Sequence, residues 1–93
     1  MGKSTRHYKI IVKGKVQGVS YRFSIHAKAL KLGLTGLVKN LHDGSVYIEA
    51  EGDEEKINKL IEWCYVGPPH AKVTEVFAEE SELKNYGNFE IKR

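Results

Sequence analysis

Apolar and polar residues alternate over 8–13, Tyr8-Lys9-Ile10-Ile11-Val12-Lys13, and put Tyr8, Ile10 and Val12 on one face, the period of a half-buried strand. Gly14 to Gly18 then breaks the alternation with turn chemistry. Further on, Phe23, Ala27 and Leu30 stand at i, i+4 and i+7, which predicts a helix over 23–32 with these three residues on its inward stripe and Gly33 as its stop. Period two returns in 36–41 and 45–51 on either side of Asp43-Gly44, a dipeptide suited to hairpin turns. In the second arm Val46, Ile48 and Ala50 form the face expected to be buried, and Tyr47, Glu49 and Glu51 the face expected in water.

A second helix follows. Asp53 suits an N-cap, Glu54 and Glu55 suit the positive end of the dipole, and Ile57, Leu60, Ile61 and Cys64 repeat at i, i+3, i+4, i+7 until Gly67-Pro68-Pro69 ends the pattern. Residues 73–78 make a fourth strand whose imperfect alternation predicts a bulge, and 89–91 a short edge strand. The order is β-α-β-β-α-β. Right-handed crossovers place both helices on one face of an antiparallel sheet, the α+β ferredoxin-like plan. No repeat or linker divides the chain, so residues 1–93 read as one domain with 1–6 as a flexible tail.

A chain of 93 residues with 41% apolar content is large enough to bury roughly 60–70% of its unfolded surface without disulfides or a structural metal. The single Cys excludes an internal disulfide and a thiol zinc cluster, and a cytoplasmic location is expected. No apolar run approaches the roughly 18–20 residues of a membrane helix, so no membrane association is expected. The net charge of +3 hides an asymmetry: residues 1–48 hold nine basic side chains and one acid, whereas 49–93 hold six basic and eleven acidic. An anion site is therefore expected in the first half.

Few constellations carry chemistry. Gly2-Lys3-Ser4-Thr5 looks like the end of a nucleotide-binding loop but lacks the strand and the earlier glycine that motif needs. His7, His26, His42 and His70 form no metal-ligand spacing and read as solvated surface residues. Cys64 falls on the apolar stripe of the second helix as a small buried thiol. The segment Gly14-Lys15-Val16-Gln17-Gly18-Val19-Ser20-Tyr21-Arg22 is different, because it joins a strand to a helix. Its glycines let successive N–H groups converge on an anion, the helix adds its positive end, and Arg22 adds a forked donor. On local physics the same residues read equally as a glycine turn with a solvated arginine. Asn40, on the Val38 face near the end of the next strand, can accept and donate at once and so hold a water in a chosen orientation; alone, it also fits a turn-flanking role.

Taken together, Gly14 through Arg22 matches G-x-V-Q-G-V-x-[FY]-R, and Gly33 through Val46 matches G-x-x-G-x-V-x-N followed by D-G-x-V. In these two motifs, in order and at these spacings, the chain resembles the acylphosphatase family. Gly67-Pro68-Pro69 with Ala71 and Val73, and the ending Phe89 to Arg93, are similar to further family blocks. Leu37 stands where many members carry Trp, and Tyr21 where Phe is more frequent.

The resemblance implies hydrolysis of acyl phosphates to a carboxylate and inorganic phosphate, without metal or cofactor. It implies that Arg22 and the backbone amides of Lys15, Val16, Gln17, Gly18, Val19, Ser20 and Tyr21 bind the phosphoryl group, and that Asn40 orients the attacking water. The expected partners are the small-molecule acyl phosphate and inorganic phosphate, with no nucleic acid, and the expected state is a monomer. A rival reading, an RNA-binding module on an open ferredoxin-like sheet, lacks the [KR]-G-[FY]-[GA]-F-V-x-[FY] signature and would place Glu49 and Glu51 on the stacking face.

Overall fold

Ile10, Val12, Val38, Val46, Ile48 and Ala50 share one face of a five-stranded sheet and are fully buried there beneath two helices. The computed structural model describes residues 5–92. Its elements run β1 (Thr5–Lys15), α1 (Tyr21–Lys31), β2 (Thr35–Asn40), β3 (Val46–Asp53), α2 (Glu54–Val66), β4 (Lys72–Ser81) and β5 (Phe89–Ile91). The strands lie in the order β4-β1-β3-β2-β5. β1 pairs antiparallel with β3 and β4, and β2 antiparallel with β3, whereas β5 lies parallel to β2. The sheet is therefore mixed at one edge, a correction to the expected all-antiparallel arrangement. The α+β ferredoxin-like plan itself stands.

α2 follows its sequence pattern. Asp53 accepts from the Glu55 N–H at 3.1 Å, Ile57, Leu60 and Cys64 are buried, and Gly67 ends the helix with its N–H on Trp63 O. α1 does not. Tyr21, Ile25 and Ala29 face the sheet, while Phe23 is 67% and Leu30 56% exposed and Ala27 is exposed beside them. Both sets repeat at helical spacing, so periodicity could not choose between them. The choice is made by Tyr21, whose ring enters the core at the first residue of the helix, 1% exposed, and sets the rotation of every residue after it.

β1 begins at Thr5, opposite Asp53, so Thr5 and Arg6 belong to the sheet rather than to a tail; the Gly2-Lys3-Ser4 portion of the N-terminal segment lies outside the described residues.

The outer face of the sheet departs furthest from expectation. Glu49 and Glu51 are 6% and 5% exposed and His7, on the same face of β1, is fully buried. Because β4 and β5 lie at opposite edges and the helices occupy the inner face, residues 82–88 must cross the outer one. Seven extended residues reach about 23 Å, enough for four inter-strand steps of about 4.8 Å. Tyr86 and Lys84 arrive on that crossing. Glu49 accepts from Tyr47 Oη (2.6 Å) and Tyr86 Oη (2.8 Å), and Glu51 accepts from the backbone N–H of Lys84 (2.7 Å) and Tyr86 (3.1 Å). His7 lies between them, Nε2 at 2.9 Å from Glu49 and Nδ1 at 3.0 Å from Glu51. Both contacts are hydrogen bonds together when both ring nitrogens carry protons.

Candidate active site

The register of β1 against β4 slips at the end of the pair: Lys13 faces Glu75 but Gly14 faces Val73, leaving Thr74 as the extra residue of the predicted bulge. Gly14 has φ +128°, and a Cβ there would stand 2.1 Å from Lys72 O. Only glycine permits this approach. The chain then turns through 16–20 into α1, with Gly18 at φ 74° and Ser20 at φ 64°. A left-handed serine costs of order 1–3 kcal/mol and is the kind of strain that binding loops retain. Ser20 is also the N-cap of α1 but makes no side-chain cap bond, and the first turn holds no acid. The first N–H groups of the helix and the positive end of its dipole are thus left for an anion.

Val16, Gly18, Ser20, Tyr21, Arg22, Phe23 and Asn40 line one cleft of ≈ 270 Å³. Six of the residues expected from sequence therefore meet here, with Asn40 brought in from the end of β2. Its partner in β3 is Val46, and it shares the helix-facing side with Val38. Asn40 Oδ1 is buried with no hydrogen-bond partner among the described residues. A buried acceptor without a donor is costly, and at a cleft wall the donor that fits is a water O–H.

Arg22 is half-buried and donates from Nη1 to Lys92 O at 2.8 Å, which ties the start of α1 to the end of β5 and leaves the rest of its fork for an anion. Tyr21 turns its ring away from the cleft. The phenol, pushed up by burial, donates to Cys64 O at 2.7 Å, so this residue offers the cleft its main chain. The hydroxyl that distinguishes it from Phe anchors α1 to α2.

Three expected residues do not line the cleft. Lys15 is exposed and pairs with Lys72 at the end of the β1–β4 ladder, and Val19 packs on the core. Gln17 points to the β2–β3 turn, where Nε2 donates to Leu41 O (2.9 Å) and Ser45 O (2.8 Å). That side chain clips the loop to the turn immediately after Asn40. In the same turn Leu41 N–H bonds Ser45 O, and the Asp43 carboxyl is held below its usual range by bonds from Ser45. Phe23 is the lining residue that periodicity missed, because its spacing assigned it to the core. His26 is not simply solvated: Nε2 lies 3.0 Å from Phe89 O and holds β5 against α1. His42 and His70 are exposed, as expected.

Known proteins share this sequence pattern and this fold. The acylphosphatase family model matches residues 8–91. An acylphosphatase of Acaryochloris marina is 51% identical over 85 residues, 91% of each chain. The structure of an acylphosphatase from Coxiella burnetii superposes with a TM-score of 0.92 at 42% identity, covering 95% of this chain and 93% of that one. The crystal structure of the acylphosphatase from Bacillus subtilis gives 0.92 at 40%, covering 97% and 100%. With a family match over nearly its whole length and relatives at this identity, the chain belongs to the acylphosphatase family.

Proposed function

We propose that Arg22 and the backbone amides of residues 15–21 hold the phosphoryl group of an acyl phosphate while Asn40 orients the water that cleaves the carboxyl–phosphate bond, the hydrolase activity of the family. The observation that carries the assignment is the buried, unpartnered Oδ1 of Asn40 in the same cleft as Arg22 and the left-handed loop. A water donating one proton to Oδ1 turns a lone pair toward phosphorus. The loop N–H groups and the guanidinium face the non-bridging oxygens, on which charge accumulates as the bond breaks.

Phosphoryl transfer depends mainly on this positioning and charge stabilisation. The leaving group is a carboxylate whose acid has a pKa of about 4, so it departs without a strong general acid. The cleft holds neither a histidine nor a carboxylate among its lining residues and needs none for this chemistry. Phosphate monoesters, with far more basic leaving groups, are expected to be poor substrates.

Residues 82–88 cross the sheet face on which an RNA-binding module of this fold would stack bases, which supports the reading that nucleic acid is not a partner. The exposed edge strand β4 carries Lys72, Glu75, Glu79 and Glu80, charges that oppose edge-to-edge pairing and support a monomer. Among the described residues no helix is long and apolar enough to cross a membrane. A cytoplasmic location is proposed on the single, buried, free Cys64.

Hydrolysis of benzoyl phosphate, followed in the ultraviolet with and without EDTA, tests the activity. Asn40→Ala is expected to lower turnover about 100-fold or more while inhibition by phosphate persists, the scale of one lost transition-state hydrogen bond. Arg22→Ala is expected to weaken phosphate inhibition as well as rate. Unchanged turnover in folded Asn40→Ala would remove the water-orienting role, and intact phosphate inhibition in Arg22→Ala would remove the cradle.

A further inference from the structure

Among the described residues Phe23 is the most exposed of the large apolar side chains, at 67%, and it stands directly after Arg22 in the first turn of α1. A single exposed phenylalanine is ordinary on a protein surface. This one lies on the boundary of two contiguous spaces. It lines the cleft that holds the loop and Asn40, and also a second, outer cleft of ≈ 610 Å³ bounded by Arg22, Phe23, Asn40 and Ile91. Three residues are common to both. Ile91 reaches the outer cleft because β5 runs parallel to β2 with Ile91 opposite Val38, two residues before Asn40. The carbonyl of the next residue, Lys92, fixes Arg22 at 2.8 Å and so keeps β5 against the start of α1.

Within the combined space Phe23 and Ile91 give apolar surface beside the polar groups of Arg22, Asn40 and the loop. An acyl phosphate has the same division: once the non-bridging oxygens are turned to the loop and the guanidinium, the bridging oxygen carries the acyl group out of the inner cleft. From this complementarity we infer that Phe23, with Ile91, forms the wall on which the acyl group rests, so that Phe23 selects acyl phosphates with a bulky apolar acyl group over those with a small one. The inference rests on the reading of the cleft as the acyl phosphate site. An apolar acyl group covering Phe23 removes surface from water on both partners, and roughly 50 Å² of such burial at about 25 cal/mol/Å² corresponds to about a tenfold preference. Selection by a hydrophobic wall is of this modest size in general.

The test compares benzoyl phosphate with acetyl phosphate as the ratio of their kcat/KM values, in the intact chain and in Phe23→Ser and Phe23→Leu. The side chain is mostly in solvent, so neither substitution removes core packing. Phe23→Ser is expected to lower the benzoyl-to-acetyl ratio about tenfold, chiefly by raising KM for benzoyl phosphate, and Phe23→Leu to retain most of the ratio. A ratio within twofold of the intact chain in Phe23→Ser overturns the acyl wall while leaving the hydrolase reading in place. Equal losses on both substrates overturn it too, by making Phe23 part of the loop's support. If the intact chain cleaves neither compound, the site reading fails first and the wall with it.

Discussion

Replacing His7 by Leu keeps a side chain of similar size at a fully buried position and removes the ring that bridges two buried carboxyl groups. The ring nitrogens lie 2.9 and 3.0 Å from Glu49 and Glu51, both almost wholly out of solvent. Removing one partner of such a group costs about 3–5 kcal/mol, because the opposite charge is left buried without compensation. Here the remaining donors, Tyr47, Tyr86 and Lys84 on Glu49 and two backbone N–H groups on Glu51, place the expectation near about 3 kcal/mol. For a domain of this size that lowers Tm by about 15 °C.

The loss also depends on pH. Burial alone would push the Glu49 carboxyl up, but hydrogen bonds from Tyr47, Tyr86, His7 and Lys84 outweigh it and hold the group down at about 2. Glu51 is likewise lowered: bonds from Lys84 N–H, His7 and Tyr86 N–H overcome the opposing effect of burial. Carboxyls held low in the folded state add stability that is complete above their ordinary value near 4.3 and is lost as pH falls toward about 2. Without His7 those groups are held less low, so the variant loses less on acidification and the gap between the two proteins narrows. Urea unfolding followed by circular dichroism at pH 7 and pH 3 reads both effects. A difference below about 1 kcal/mol at pH 7, or one that fails to narrow by pH 3, would refute the His7–Glu49–Glu51 cluster as the fastening of residues 82–88.

Gln17→Glu replaces an amide that donates to Leu41 O and Ser45 O with a carboxylate that repels both. It is expected to cut kcat about 10- to 100-fold by displacing the turn beside Asn40, and a kcat within twofold of the unsubstituted chain would show that the clip does not position the site. Tyr21→Phe removes the bond to Cys64 O and is expected to cost about 1 kcal/mol in urea unfolding; an unchanged midpoint would mean that the hydroxyl adds nothing to stability. The Cys64 thiol is fully buried, and burial pushes it up to about 12. At pH 8 a disulfide reagent should therefore react about a thousandfold more slowly than with unfolded chain, and rapid reaction of the folded protein would contradict that burial.

Local patterning carried much of this molecule. Alternation in β1, β2 and β3, the Asp43-Gly44 turn and the capped stripe of α2 are short-range features, each set by residues within a few positions of one another. The bulge in β4 was readable from the imperfect alternation of 73–78, and the turn before Arg22 from its glycine spacing, which is itself a backbone instruction. Asn40 was readable as a candidate, but its burial without a partner was not, because that follows from where β2 ends relative to α1.

What depended on the assembled fold are the contacts between distant segments. The rotation of α1 was ambiguous along the chain and was settled by Tyr21 entering the core and bonding α2, which turned Phe23 outward to the cleft. The fate of Glu49 and Glu51 was likewise hidden: two acids alternating with Ile48 and Ala50 look solvated until residues 82–88 cross over them to reach β5. Period two says which side chains share a face, and it cannot say what later covers that face. Composition, periodicity and motif thus gave the plan of strands and helices and the position of the glycine loop before Arg22. The packing of one segment on another determined which carboxyls are buried, which aromatic lines the cleft and which amide oxygen is buried at its wall.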